Sequence, residues 1–569
     1  MDPKRFSAAR SAGSAMRALR SRTAILVSVF LLAVFTASPF PPAAHPAGTR
    51  NAQVVAGKGM VASAHALASQ AGVEIMKAGG NAIDAAVAAA FVIGVVEPNA
   101  SGIGGEGMMV VYRADARKAV AIDYRSAAPA RAAFPEGIPG TGHAAVAVPG
   151  TLAGLTAALG QFGTMKLERV MTPAIRLAEQ GFIVSPTLAG AISDNFEEIV
   201  KNQALAAIVC PEGLPLEAGA TLKNPDLARS LRKIAAGGPD VFYKGEIAAA
   251  ITAEMSAHGG FLDRSDLAAY RPLSREPVRG RYRDCELISA PPPVGGTTVI
   301  EILQMLERFD LAANPPLSPA NVHVMSEAMK RGFADFSAFI ADPGFVEVPL
   351  RGLLSPDYAR ARAAEIRQDA ISPKVAAGEP AKEGSGSTTA LCAVDSKGNM
   401  IALTQTISDF FGAKVAIAGT GIILNNEMKN FSSRGINALA PGKRMRTTIA
   451  PTILLRGGKP FAALGTPGAA RIISTMVILI TNLIDHKMGI QEAIEAPRFY
   501  ARDTDKNLSV ESRMPALTIE ALEKLGYVLQ AMGEYDLFFG GAQGIIIDAA
   551  SGKKIGGADP RRDGAVVGY

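Results

Sequence analysis

Thr388 is the residue with the clearest opening for chemistry. It sits in Glu383-Gly-Ser-Gly-Ser-Thr-Thr-Ala-Leu-Cys-Ala-Val-Asp395, where the small residues Gly384 to Ser387 run into a β-patterned stretch. Ser396-Lys-Gly-Asn399 supplies a turn, and Met400 to Thr406 returns as a second β-rich run. If the Ser387–Thr388 bond were cut, Thr388 would carry a free α-amine beside its own hydroxyl. An α-amine titrates near pH 8 (roughly), so it could act as the base that activates the hydroxyl. Taken alone, the stretch reads more simply as an ordinary strand start, because Thr favours strands.

Other residues offer parts of a site. Tyr124-Arg125-Ser-Ala-Ala-Pro129 follows the β-patterned Ala119 to Asp123, and an arginine just after a strand with small residues behind it suits a bidentate grip on a carboxylate. A plain surface arginine fits the same local sequence. Thr466-Pro-Gly468-Ala469 opens an apolar helix from about Arg471 to Ile484, and free amides at such a start favour an oxyanion. The polar tail of Gly421-Ile-Ile-Leu-Asn-Asn-Glu-Met-Lys-Asn-Phe431, read as a strand, could project into a site. The Gly-rich loop Asn99 to Gly107 follows a helix and feeds a strand. Dinucleotide and P-loop cradles need the order strand, loop, helix, so nucleotide binding is excluded. Three distant cysteines, Cys210, Cys285 and Cys392, show neither a disulfide framework nor CxxC spacing. The six histidines form no HExxH or similar set, so neither a metal nor a cofactor is expected.

The elements that must position these residues follow from pattern. Gly59 to Ser63 predicts a strand, Ala64 to Lys77 a helix ending at Gly79-Gly80, and Asn81 to Val96 an Ala/Val-rich helix. Met108 to Tyr112 predicts a strand, Ala147-Val-Pro-Gly150 a helix start, and Met171 to Gln180 a further helix. Residues 185–335 are expected to be mostly helical. Tyr358 to Gly384 lacks an apolar period and is expected to end exposed, where a scissile bond is accessible. Strands are expected at Pro451 to Leu455, Phe461 to Gly465 and Gly544 to Asp548. No internal repeat is present.

At 569 residues, burying a large core is no difficulty. The net charge of +6 is concentrated at the start, where residues 1–37 hold six basic residues against Asp2 alone. The remainder has no excess that would attract nucleic acid. Those basic residues precede the uncharged run Thr23 to Ala37, about 15 residues, short for a membrane span and sized for a signal-peptide core. Residues 1–53 are expected to be a signal peptide or uncleaved anchor plus a linker. The body is therefore expected to be exported, periplasmic or extracellular.

Taken together the stretches GGNAIDAAVA, SGIGGEG, IDYRSAAP, AVPGT, PAIRLAEQGF, APPPVGG, STTALCAVD, ILNNEM, APT, GTPGAARII, EAPRF and ADPRRDGAVVGY resemble the γ-glutamyltransferases, or glutathione hydrolases. The likeness runs from about Gly59 to Tyr569. It implies an α+β fold, the αββα four-layer sandwich of N-terminal-nucleophile hydrolases. It also implies a precursor that cleaves itself at Ser387–Thr388, giving a large subunit of residues 54–387 and a small subunit of residues 388–569. Thr388 is then the nucleophile and Thr406 matches a threonine that bonds to it. Arg125 matches the grip on the substrate α-carboxylate, shared by Thr447 and Thr448 where the family has Ser-Ser. Gly468 and Ala469 match the Gly-Gly oxyanion pair, with Ala469 adding a Cβ.

Three departures bear on the substrate. Asn430 stands where the family usually has an Asp for the α-ammonium, and Ser408 where an Asn helps. Losing a charged partner for a buried ammonium costs about 2–5 kcal/mol if nothing replaces it. Glu427 lies where relatives have Gln or Glu and could supply the carboxylate. Only nine residues separate Phe431 from Pro441, fewer than a lid needs in several relatives. An open cleft would favour water over an acceptor. The implied reaction is acyl transfer from a γ-glutamyl amide such as glutathione to water or to an amino acid or peptide. A glutaryl- or cephalosporin-type acylase, or a poly-γ-glutamate hydrolase, fits the same nucleophile. An exported non-catalytic protein that binds carboxylates through Arg125 is the reading from another class. Cys392 and His323 are expected to be structural.

Overall fold

In the strand Met400–Thr406 every residue is buried, because the strand is covered on both faces. Alternate side chains point to opposite faces of a sheet. Ile401 and Leu403 pack with the helix Ala82–Val96, whereas Met400 and Ala402 join a second cluster containing Ile453, Ala463 and Ile545. That division runs through the whole molecule. It is described here for residues 53–379 and 389–569 of a computed structural model. The expected leader and the Ser387–Thr388 bond lie outside the described residues.

Two seven-stranded sheets stack at the centre. One runs, edge to edge, Val54–Ala56, Lys554–Ala558, Gln543–Ile547, Lys459–Gly465, Thr452–Arg456, Cys285–Ser289 and Val278–Tyr282. The other runs Ala565–Gly568, Met60–Ser63, Thr389–Val394, Met400–Thr406, Glu106–Arg113, Lys118–Tyr124 and Leu273–Arg275. Helices Ala66–Lys77, Ala82–Val96 and Thr151–Phe162 cover the outer face of the second sheet. Helices Gly296–Leu306, Pro319–Phe339 and Arg471–Ile484 cover the first. This is the αββα sandwich. Among the described residues no helix is long and apolar enough to cross a membrane.

Local sequence explains the elements nearest the site. The helix Ala82–Val96 is held at its start by a reciprocal cap. Asn81 Oδ1 accepts from the amides of Ile83 and Asp84, and Asp84 Oδ2 accepts from the Asn81 amide at 2.8 Å. In the hairpin Thr389 pairs with Gln405 and Val394 with Met400, and Gly398 takes φ 81° to close the turn.

Three expectations need refinement. Residues 185–335 are mostly helical as expected, but Leu273–Arg275, Val278–Tyr282 and Cys285–Ser289 interrupt them as strands. They are short, and Val278–Tyr282 forms a sheet edge where alternating arginines face out, so no long apolar run marks it. The expected strand up to Phe431 shrinks to Ile422–Ile423. Asn425 turns the chain by donating to the carbonyls of Gly104 and Ala147, and a single 3₁₀ turn, Glu427–Asn430, follows. The helix Pro356–Ala364, started by Ser355 capping the Tyr358 amide, runs into the aperiodic stretch that begins at Tyr358.

Candidate active site

Arg125 follows the strand Lys118–Tyr124 and is completely buried rather than superficial. Its carbonyl accepts from the Tyr270 hydroxyl at 2.8 Å, and its amide donates to Asp123. The guanidinium is flanked by two buried carboxylates. Nη1 pairs with Glu106, and Nη2 lies 3.5 Å from Glu427 Oε2. Burial draws the Arg125 pKa down to about 10, with Glu427 acting against the fall. The Nε donor has no hydrogen-bond partner among the described residues.

Glu427 is placed by the turn that Asn425 makes. Its amide donates to Asn425 Oδ1 at 3.1 Å. One side-chain oxygen, Oε2, accepts from Asn430 Nδ2 at 2.7 Å, while Oε1 is buried with no hydrogen-bond partner. Burial raises the Glu427 pKa, and Arg125 and Asn430 partly counter it. The same Asn430 amide lies 3.2 Å from Ser408 Oγ. Ser408 takes φ 79°, a left-handed conformation that Asn adopts more readily than Ser. Its amide donates to Thr406 Oγ1 at 2.7 Å. Thr406 ends its strand one residue beyond the Gln405–Thr389 pair. Glu106, Arg125, Glu427, Asn430, Ser408 and Thr406 thus form one connected set.

A second set borders the first. Arg125 Nη2 is 3.5 Å from the Met445 carbonyl, two residues before Thr447. The Thr447 amide donates to the Pro293 carbonyl, and Thr447 Oγ1 is buried without a hydrogen-bond partner. Thr448 Oγ1 donates to the Ala469 carbonyl at 2.7 Å, tying this segment to the turn before the helix Arg471–Ile484. In that turn Gly468 has φ 134° and Ala469 φ 53°. Among the described residues neither amide donates to a backbone carbonyl. Two amides displayed at a helix start can hold a developing oxyanion.

Glu106 was not visible as a site residue in the sequence, and Asn425 was seen only as part of the polar tail of Gly421 to Phe431. The one charged residue in the loop Ser101-Gly-Ile-Gly-Gly-Glu-Gly107 was the available signal for Glu106. His323 is structural: its ring nitrogens contact the Tyr527 hydroxyl at 2.9 Å and the Arg367 carbonyl at 2.7 Å. Cys392 is buried in the strand Thr389–Val394, and burial pushes its thiol pKa up. The nine residues after Phe431 form a pinned loop. Asn437 donates to the Asn430 carbonyl at 2.7 Å and accepts from the Arg446 amide.

The family model described as Gamma-glutamyltranspeptidase matches residues 68–569. The chain belongs to this family. The glutathione hydrolase proenzyme of Escherichia coli (strain K12) is 37% identical over 97% of this chain and 99% of its own length. The acylase ACY 1 proenzyme of Pseudomonas sp. (strain SE83) is 42% identical over 83% of this chain and 87% of its own. Among solved structures, cephalosporin acylase from Bacillus halodurans superposes with TM-score 0.87 at 32% identity, covering 93% of this chain and 99% of that one. The family's enzymes and the αββα sandwich agree with the resemblance read from the motifs.

Proposed function

We propose that the γ-glutamyltranspeptidase family member described here is a self-processing γ-glutamyl hydrolase and transferase. Thr388, freed by cleavage after Ser387, is its nucleophile. The observation that carries the donor is the set of unpartnered buried atoms: Glu427 Oε1, Arg125 Nε and Thr447 Oγ1. An unsatisfied buried polar atom is costly unless a ligand completes it. A γ-glutamyl group brings an ammonium for Glu427 and a carboxylate for Arg125 and Thr447.

Charge balance points the same way. With both carboxylates ionised, Glu106, Arg125 and Glu427 sum to one negative charge. A zwitterionic γ-glutamyl head leaves that sum unchanged, whereas a glutaryl head adds a second buried negative charge. Asp409 is paired with Lys429, and the two act on Glu427 in opposite senses.

In the reaction the Thr388 amine accepts the hydroxyl proton as the oxygen attacks the γ-amide carbon. Thr406 orients the nucleophile, and the amides of Gly468 and Ala469 hold the oxyanion. The proton passes to the leaving amine, and water or an amino acid or peptide then releases the acyl-enzyme. The segment between Phe431 and Pro441 is only nine residues long, and a site without a lid favours hydrolysis. The large subunit is residues 54–387 and the small one residues 388–569. The basic and apolar leader supports a periplasmic or extracellular enzyme, anchored if residues 23–37 are retained.

A second reading, a glutaryl- or cephalosporin-type acylase, is favoured by Asn430 and by the acylase relatives. Hydrolysis of γ-glutamyl and glutaryl anilides by the purified enzyme distinguishes the two. The γ-glutamyl reading predicts the higher kcat/KM for the γ-glutamyl anilide near neutral pH. A preference for the glutaryl anilide there would overturn it.

A further inference from the structure

Away from Arg125, His143, the first residue of the 3₁₀ turn His143–Ala145, meets the end of the helix Glu246–Ala257. Glu254 and His258 lie four residues apart on that helix and its cap, so they share one face. His143 Nε2 lies 3.0 Å from Glu254 Oε1, and His258 Nε2 lies 3.6 Å from the same oxygen. The two imidazoles stack with centroids 4.7 Å apart and planes at 23°. One donor atom from each of the three residues falls within 4.8 Å of the others.

We propose that His143, Glu254 and His258 form a binding site for a first-row divalent transition metal, Zn²⁺ being the reference ion. Zn²⁺ binds His nitrogen and carboxylate oxygen at about 2.0–2.2 Å, so donors around a tetrahedral ion stand roughly 3.3 Å apart. The two distances to Glu254 Oε1, 3.0 and 3.6 Å, bracket that spacing. Two histidines and a glutamate are also a donor set that such metals share. The three residues line a cavity of about 780 Å³, which gives a water molecule or an anionic ligand access to the fourth position. His258 is 55% exposed, so the ion has a path from solvent. Sequence spacing hid the set because 111 residues separate His143 from Glu254.

The position ties the metal to the active-site turn. Asn426 Nδ2 donates to the Gly140 carbonyl at 2.7 Å, and the Ala147 amide donates to Asn425 Oδ1. The segment bearing His143 therefore holds both asparagines that precede Glu427. A metal bridging that segment to the helix stabilises the turn without touching the substrate. The proposal is independent of which acyl donor the enzyme takes.

The test is calorimetric titration of untagged, chelator-treated full-length protein with Zn²⁺, alongside His258→Ala and Glu254→Gln. One equivalent of Zn²⁺ is expected, with affinity at least 30-fold lower in each variant. Co²⁺ in its place should give visible absorption that Zn²⁺ abolishes. Zn²⁺ should also raise the Tm of the wild type and leave that of His258→Ala unchanged. Both substitutions are at partly exposed positions, and equal metal-free Tm values establish that folding is retained. Absence of saturable Zn²⁺ binding in the wild type, or equal affinity in the variants, overturns the proposal.

Discussion

At the scale of single residues, substrate choice turns on Glu427. Burial raises its pKa, so it protonates at a higher pH than an ordinary glutamate, whose reference value is 4.5. It is charged above that raised pKa and neutral below it. As pH falls through that value, the ammonium loses its counter-ion and the KM for γ-glutamyl anilide should rise. The extra negative charge opposing a glutaryl head disappears at the same time. The ratio of glutaryl to γ-glutamyl hydrolysis should therefore increase towards acid pH, and initial rates on both anilides check it. Glu427→Gln should lower kcat/KM for the γ-glutamyl donor by about 30-fold or more, the equivalent of losing 2–5 kcal/mol of buried charge pairing. It should also remove the acid limb of the ratio. Conversely, Asn430→Asp removes the donor to Glu427 Oε2 and sets a second carboxylate against it, so Glu427 should protonate at still higher pH and the acid limb of the ratio should move upward. Arg125 was legible from its place just after a strand with small residues behind it. Glu106 was not, because its contact with Arg125 depends on two neighbouring strands, Glu106–Arg113 and Lys118–Tyr124, coming into register.

At the scale of elements, the turn before the helix Arg471–Ile484 carries unusual backbone. Ala469 sits at φ 53°, a left-handed conformation that costs an L-residue about 1–2 kcal/mol and costs glycine little. Ala469→Gly should raise stability by up to about 1 kcal/mol, part being offset by the greater entropy of glycine when unfolded. Thermal or urea unfolding measures it. Gly540 packs against the same turn, and a Cβ there would lie 1.9 Å from the Pro467 carbonyl oxygen. Gly540→Ala should therefore displace Gly468 and Ala469 and lower kcat more than it raises KM. The hairpin Thr389–Val394 to Met400–Thr406 was readable because its turn residues and period-2 pattern agree. The strands between Leu273 and Ser289 were not, since short edge strands with outward arginines lack the apolar run that marks a buried strand. The turn at Asn425 also escaped the pattern, because the carbonyls it satisfies belong to distant Gly104 and Ala147.

At the scale of the whole molecule, the proposed cut would leave neither sheet intact in one subunit. In the second sheet Met60–Ser63 pairs on one side with Ala565–Gly568 and on the other with Thr389–Val394. In the first, Val54–Ala56 pairs with Lys554–Ala558, and Cys285–Ser289 pairs with Thr452–Arg456. Each subunit thus completes both sheets of the other. The two should remain associated through purification without denaturant and unfold in one transition, which size-exclusion chromatography and calorimetry check. The central claim is that Thr388 becomes a new N-terminus. Intact mass and N-terminal sequencing of the purified protein, beside Thr388→Ala, test it most directly. The account predicts a wild-type small subunit beginning Thr388-Thr389-Ala390 and an uncut Thr388→Ala chain. A wild-type chain that stays whole, yet hydrolyses γ-glutamyl anilide, would contradict it.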